Sequence, residues 1–268
     1  MKAHGKRITC LSAIAAAVLA LCSCSSAESQ DEGAGAETQL ESLLTADASA
    51  DQQAAAAGTA KAMELGFDQI QAASDEDLDT VRQDAQERAG NVEDMTVSPE
   101  SCAKPIAQLD WSPILADSET ITRIDFGRSN FNGAGSIEVA GITDDTGGSS
   151  QTEDQIAAHQ QAVIDITTDC NDLTMMLADE SEPDWAELEY TFNAEPIETD
   201  SGSGLLWQRY PSDGGEGQTT TALTLMTQHE GYVVMVAFIG EKEIADDEFT
   251  DIGETVLSSA IAQLDEAA

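Results

Sequence analysis

Five cysteines and three histidines carry the widest chemical repertoire in this 268-residue chain, and their spacing limits what they can do. Zinc hydrolases take histidine ligands at short helical spacing, as in H-E-x-x-H. His4 lies in the basic start of the chain, while His159 and His229 fall in different expected elements. His159 is expected on a helix surface and His229 in the turn "QHEG". A serine nucleophile would occupy a G-x-S-x-G elbow. "GAGSIEVAG" and "SGSGLL" do not match it and read as turns feeding strands. "TDDTGGSS" lacks the alternating aspartates and closing glutamate of a calcium loop. The 51 acidic residues offer so many carboxylate pairs that no single pair points to glycoside cleavage. A thiol nucleophile would need an unpaired cysteine beside a base. The chain also has no phosphate loop and no dinucleotide fingerprint. No catalytic residue, metal site or cofactor is therefore expected, the protein is not expected to be an enzyme, and the ligand-binding residues are not legible. Trp111, Trp185 and Trp207 could stack on sugars or line a lipid pocket. With twelve aromatics in the chain, most are expected to be core.

Two of the cysteines stand one residue apart in "LALCSCSS". They follow a basic start, "MKAHGKR", and a run of fourteen apolar or small residues, "ITCLSAIAAAVLAL". A charged segment followed by an apolar run of this length reads as a secretory signal. It is shorter than the roughly 20 residues that a spanning helix needs. The run into cysteine resembles the lipobox of bacterial lipoproteins, with a branched apolar residue three before the cysteine and a small residue just before it. Leu21, Cys22, Ser23 and then Cys24 fit that register. Leu19, Ala20, Leu21 and then Cys22 would place a bulky leucine in the small position. The resemblance thus implies lipidation at Cys24, with residues 1–23 removed as a signal peptide. It also implies a diacylglyceryl anchor with a further acyl chain, which holds stably where a single chain does not. The expected location is the extracytoplasmic face of the cell membrane.

The formal net charge is −40, from 11 basic and 51 acidic residues. Removing the signal leaves eight basic residues and a net charge of −43. Phosphate binding needs clustered Lys and Arg, so nucleic acid is excluded as a partner. A second, electrostatic hold on anionic lipid is excluded for the same reason. The acidity reads as a soluble, self-repelling surface. Cys102 and Cys170 remain once Cys10 and Cys22 leave with the signal and Cys24 is lipidated. Exported proteins oxidise such pairs, so a Cys102–Cys170 disulfide is expected, with two buried thiols as the alternative.

These residues need elements to hold them. Residues 24–61 are acidic and rich in Ala, Gly and Ser, and from Ser25 to Ala60 they hold no Lys, Arg or aromatic residue. They read as a flexible tether, with a marginal helix in their later part. A single domain is expected over residues 62–268, starting just before the first aromatic residue, Phe67. "SDEDLDTVRQDAQERAG" reads as a helix capped by Ser74 and stopped at Gly90. "SPESCAKPIAQL" reads as a short helix with Ser98 as its cap, Pro99 at the first position and Pro105 as a break or kink. Two strands follow around Ile121–Phe126 and Ile137–Gly141. The next helix places Ile156, Val163, Ile164 and Thr167 near one face and ends at Cys170. Five strands then form a meander, including a hairpin around "HEG", and an amphipathic helix over about residues 246–266 closes the chain. The order predicts an α+β fold, an antiparallel β-sheet meander with helices packed on it and one disulfide.

From Val97 onward, about 170 residues resemble the PknH-like extracellular sensor-type domains of mycobacterial receptor kinases and actinobacterial lipoproteins. The features that carry the resemblance are "VSPESC", a helix ending in the second cysteine Cys170, the meander and the closing helix. In that family, disulfides staple a sheet with helices, and a cleft is thought to bind a ligand. This chain has one possible disulfide, "TTDC" where a tryptophan is expected before the second cysteine, and no kinase domain. The resemblance implies a non-enzymatic lipoprotein that binds an unknown envelope ligand or protein. A lipid carrier enclosing acyl chains is the alternative, followed by an envelope hydrolase.

Overall fold

A computed structural model describes residues 47–89, 95–116, 118, 120–142, 149–179, 186–214 and 219–267. The expected signal, Cys24 and most of the expected tether lie outside the described residues, as do Trp185 and the core of "TDDTGGSS". The chain begins with helix α1 (Ala50–Glu64), strand β1 (Gln69–Ala72), helix α2 (Asp75–Ala89) and strand β2 (Met95–Ser98). A 3-10 turn at Glu100–Cys102 leads into α3 (Ala103–Gln108), and a second turn lies at Pro113–Leu115. Strands β3 (Ile121–Gly127) and β4 (Gly133–Gly141) precede α4 (Ser149–Asp169). The meander comprises β5 (Asp172–Asp179), β6 (Ala186–Glu198), β7 (Ser203–Pro211), β8 (Thr220–His229) and β9 (Tyr232–Gly240). Helix α5 (Asp247–Ala267) closes the chain. Among the described residues, no helix is long and apolar enough to cross a membrane.

The nine strands form one sheet in the order β1-β3-β4-β9-β8-β7-β6-β5-β2, and every neighbouring pair is antiparallel. This is the expected α+β arrangement, with two strands more than the sequence predicts. Both additional strands, β1 and β2, are four-residue edges. Such short segments hold too few residues to show an alternating pattern.

Helices cover both faces of the sheet. Leu223 and Leu225 of β8 and Val234, Val236 and Phe238 of β9 point to one face, where they meet α1 and α5. Their neighbours Met226, Val233 and Met235 point to the other, where they meet Trp111 and Ile156 of α4. Because both sides are buried, these strands read as nearly continuous apolar runs. A second cluster on the α4 side gathers Ile106, Ile166, Leu173, Met175, Phe192 and Trp207. At the centre of the α1–α5 side, the ring of Phe67 meets Phe126, Phe131 and Phe238 at centroid distances of 5.6, 5.9 and 5.7 Å.

The folded domain starts earlier than residue 62. Helix α1 lies largely within the expected tether, and Ala54, Ala55, Ala56 and Ala62 are fully buried against α5, β3 and β4. Alanine gives little face contrast in sequence but lets backbones approach closely. At Gly58, a Cβ would lie 2.5 Å from Ile137 Cδ1 and 3.1 Å from the Val256 carbonyl oxygen. Thr122 of β3 donates a 2.7 Å hydrogen bond to the buried Asp51 in the first turn of α1.

Other expectations also meet the structure. Ser74 caps α2 as expected, its hydroxyl accepting from the Asp77 backbone N–H at 3.3 Å, while its own backbone N–H donates back to the Asp77 carboxylate at 2.9 Å. Ser98 is not a helix cap: it ends β2 opposite Thr174, and a cis peptide bond joins it to Pro99. Pro105 neither ends nor breaks α3. It sits in the first helical turn, where backbone N–H groups have no intrahelical partner to lose. Cys102 and Cys170 form the expected disulfide, with an S–S distance of 2.02 Å and a Cα–Cα distance of 5.7 Å. It joins the turn before α3 to the end of α4. Ile164 faces away from the core and is 53% exposed. The buried stripe of α4 runs instead through Thr152, Ile156, His159 and Ile166 to Cys170.

Candidate functional site

Among the described residues, three groupings around titratable side chains differ in access. The most deeply buried is an ionic network on β3 and β4. Arg123 and Asp125 share one face of β3, and Glu138 stands opposite Arg123 in the β3–β4 register. Arg123 donates to Glu138 at 2.6 Å and to Asp125 at 2.7 Å, and Arg123 and Glu138 are 3% and 2% exposed. The backbone N–H of Ile114 donates to Glu138 at 3.2 Å, and Arg82 of α2 donates to the Ile114 carbonyl at 2.9 Å. Burial opposes the charge on Arg123, but Glu138 and Asp125 more than offset it and hold its pKa above the ordinary value. Burial likewise raises both carboxyls, against the pull of Arg123. A raised carboxyl is one mark of a general acid. Here the hydrogen bonds of Glu138 are taken up by the guanidinium and by the overlying turn. The arrangement anchors that turn to the sheet.

The second grouping surrounds His159, which the sequence reading places on a helix surface. It is 3% exposed, its Nδ1 lies 3.1 Å from the Gln108 carbonyl, and its ring centroid is 5.3 Å from that of Trp111. That geometry makes Nδ1–H the donor. Burial lowers the imidazole pKa, with the Gln108 carbonyl acting in the opposite direction. A signal for this burial was present: His159 stands three residues after Ile156 and seven before Ile166, on the apolar stripe of α4. Trp111 and Trp207 are buried as expected, and Trp207 stacks on Phe192 at 5.7 Å.

The third grouping is open to solvent. A polar cleft of about 370 Å³ lies where the β6–β7 connection and the end of β8 meet α5. Asp200 and Ser201 come from the connection, and Thr227 and His229 from alternate positions of β8. Ser258, Ile261, Ala262 and Asp265 form one stripe of α5 along its wall. His229 Nε2 lies 2.7 Å from Asp265 Oδ1. The backbone N–H of Asp200 donates to Glu254 at 3.0 Å and ties the connection to α5.

The turn at the cleft edge has two residues, since His229 pairs with Tyr232. In its type I′ form such a turn takes left-handed backbone at both central positions. Glu230 has φ 45° and Gly231 φ 79°. Glycine adopts this conformation freely, whereas glutamate is uncommon there. The turn brings Glu230 beside His229 and Asp265. A ring nitrogen of the histidine and one oxygen from each carboxylate lie within 4.8 Å of one another. The sequence identifies the turn but not its partner. Asp265 is 36 residues away, and only the docking of α5 on β8 brings it near.

No protein-family model matches the chain, and a search of the curated proteins finds no match to it.

Proposed function

We propose that the protein is a membrane-anchored extracytoplasmic lipoprotein whose PknH-like sensor-type domain binds an envelope ligand or partner protein without catalysing a reaction. Its anchor is Cys24, in the lipobox register Leu21-Cys22-Ser23-Cys24. The observation that carries the binding reading is the open polar cleft between the end of β8 and α5. The apolar strand faces that a lipid carrier would turn toward acyl chains are instead packed under α1 and α5 on one side and α3 and α4 on the other. That packing favours a cleft binder over a carrier. The engagement of Glu138 with Arg123 favours a structural role for its raised carboxyl over acid–base chemistry.

Two measurements test this reading. Cys24→Ser should abolish acylation and release the protein from the membrane fraction; an acylated, fully membrane-bound variant would refute the anchor. A photo-reactive residue at Ser258, on the cleft wall, should trap a discrete envelope component in intact cells. The same group at Thr80, exposed on α2, should not. Equal labelling at both positions would remove the cleft as the binding face. A stoichiometric lipid in an organic extract of the purified protein would replace the reading with that of a carrier.

A further inference from the structure

The cleft holds an unusual excess of negative charge at the wrong end of a helix. Asp265 and Glu266 sit in the last turn of α5, which contains no basic residue. Exposed carbonyls give a helix C-terminus a partial negative charge, so carboxylates there are disfavoured and a cation is favoured. Glu230 on the β8–β9 turn adds a further carboxylate beside Asp265, and Asp200 lies farther along the same cleft, its backbone tied to Glu254 of α5. The imidazole of His229, 2.7 Å from Asp265, supplies the nitrogen that distinguishes this grouping from a merely acidic patch.

We infer that His229, Glu230 and Asp265 form a binding site for a divalent transition-metal ion of the zinc type. The proposal rests on the reading of this cleft as the ligand-binding face, and it names the chemistry of recognition there. One imidazole and two carboxylates are a donor set used by zinc, and imidazole favours such ions over magnesium or calcium. Ligand atoms of a tetrahedral zinc site stand roughly 3.2–3.5 Å apart, as bonds of about 2.0–2.2 Å require. The three donors lie within 4.8 Å of one another, close to that spacing. Two donors are adjacent in sequence, His229 at the end of β8 and Glu230 on the two-residue turn, and the third is on a long helix, so the backbone positions are held. Three protein ligands leave a coordination position for an outside donor. A chain of net charge −40 repels anions in general, and a bound cation would give this cleft a means of holding a carboxylate- or phosphate-bearing ligand.

The test is titration of the purified full chain with Zn²⁺ in excess Mg²⁺, which occupies the diffuse cation atmosphere of so acidic a protein. Binding is read by calorimetry and by the histidine ring protons in NMR. One saturable site is expected, with the His229 signals shifting and those of the buried His159 unmoved. Affinity should fall toward acid pH, because the metal requires neutral imidazole. His229→Gln and Asp265→Asn should each weaken binding by about 10-fold or more. Both are exposed or half-exposed positions, and the unchanged His159 signals report that each variant is folded. Binding that survives both substitutions, or that Mg²⁺ abolishes, would overturn the site. If Zn²⁺ fails while the Ser258 probe still traps its component, the metal is wrong and the cleft reading stands. Loss of both removes both.

Discussion

His159 shows how one side chain can couple the fold to pH. Burial holds its imidazole below the ordinary histidine pKa, so the folded chain refuses a proton that the unfolded chain accepts. Stability from this residue is therefore complete above the ordinary histidine range, about pH 6.5, and is lost as pH falls from there toward the lowered value. His159→Gln should cost about 1–2 kcal/mol near neutral pH through the hydrogen bond to Gln108. That penalty should shrink on acidification, because the variant has no proton to take up. Urea unfolding of both proteins at a series of pH values measures the difference. A penalty that stays constant or grows would mean that the imidazole is protonated inside the fold. The Arg123–Glu138–Asp125 network has the opposite sign. Carboxyls raised on folding stabilise at low pH and lose that contribution as pH rises past the ordinary carboxylate range. Comparing parent with variant at each pH isolates the histidine from this background.

At the scale of elements, α1 is the part that the sequence reading most misjudges, and the cause is physical. Helical faces are recognised by contrast between large apolar and polar residues, whereas "ADQQAAAAGTAKAME" buries alanine, glycine and threonine. Its stabilisation comes from close approach to β4 and α5, which no local pattern records. Gly58 is the contact point. Gly58→Val should destabilise by about 1–3 kcal/mol, because the added methyls meet Ile137 and the Val256 backbone. Thermal or urea denaturation measures this, and a variant as stable as the parent would show that α1 does not seat there. The opposite case is β8–β9. Two long apolar runs around a two-residue turn make this hairpin legible without any tertiary information. The edges β1 and β2 were not legible, since four residues of mixed polarity gain their identity from the strand they join. His229 was legible as part of the turn. Its partnership with Asp265 was not, because it depends on where α5 ends over β8.

For the whole molecule, the disulfide is the long covalent tie among the described elements. Cys102 and Cys170 are 68 residues apart in sequence, and the bond excludes many open conformations of the unfolded chain. The loop-closure model gives about 4 kcal/mol for a loop of this length. At roughly 2–4 °C per kcal/mol for a domain of this size, reduction should lower the melting temperature by about 10 °C. Differential scanning calorimetry with and without reductant tests this. An unchanged transition would mean that the tie contributes nothing beyond the packing of α3 on α4. The overall architecture follows from the alternation of strands and amphipathic helices, which is why the α+β class was legible when two edges and the burial of α1 were not.

The packing of α1 against α5 also has a consequence in time. A polypeptide is made from its N-terminus, so α1 emerges early and its principal helical partner, residues 247–267, emerges last. Until then the alanine face of α1 can rest on β3 and β4, but the side that α5 covers has no partner. The local hairpins of the meander can form as they appear, because their ends are close in sequence. Closure of the α1–α5 side has to wait for the final helix. Completion of the α1–α5 side is therefore governed by residues 247–267, and a nascent chain halted before them keeps the α5-facing side of its first helix open to proteases.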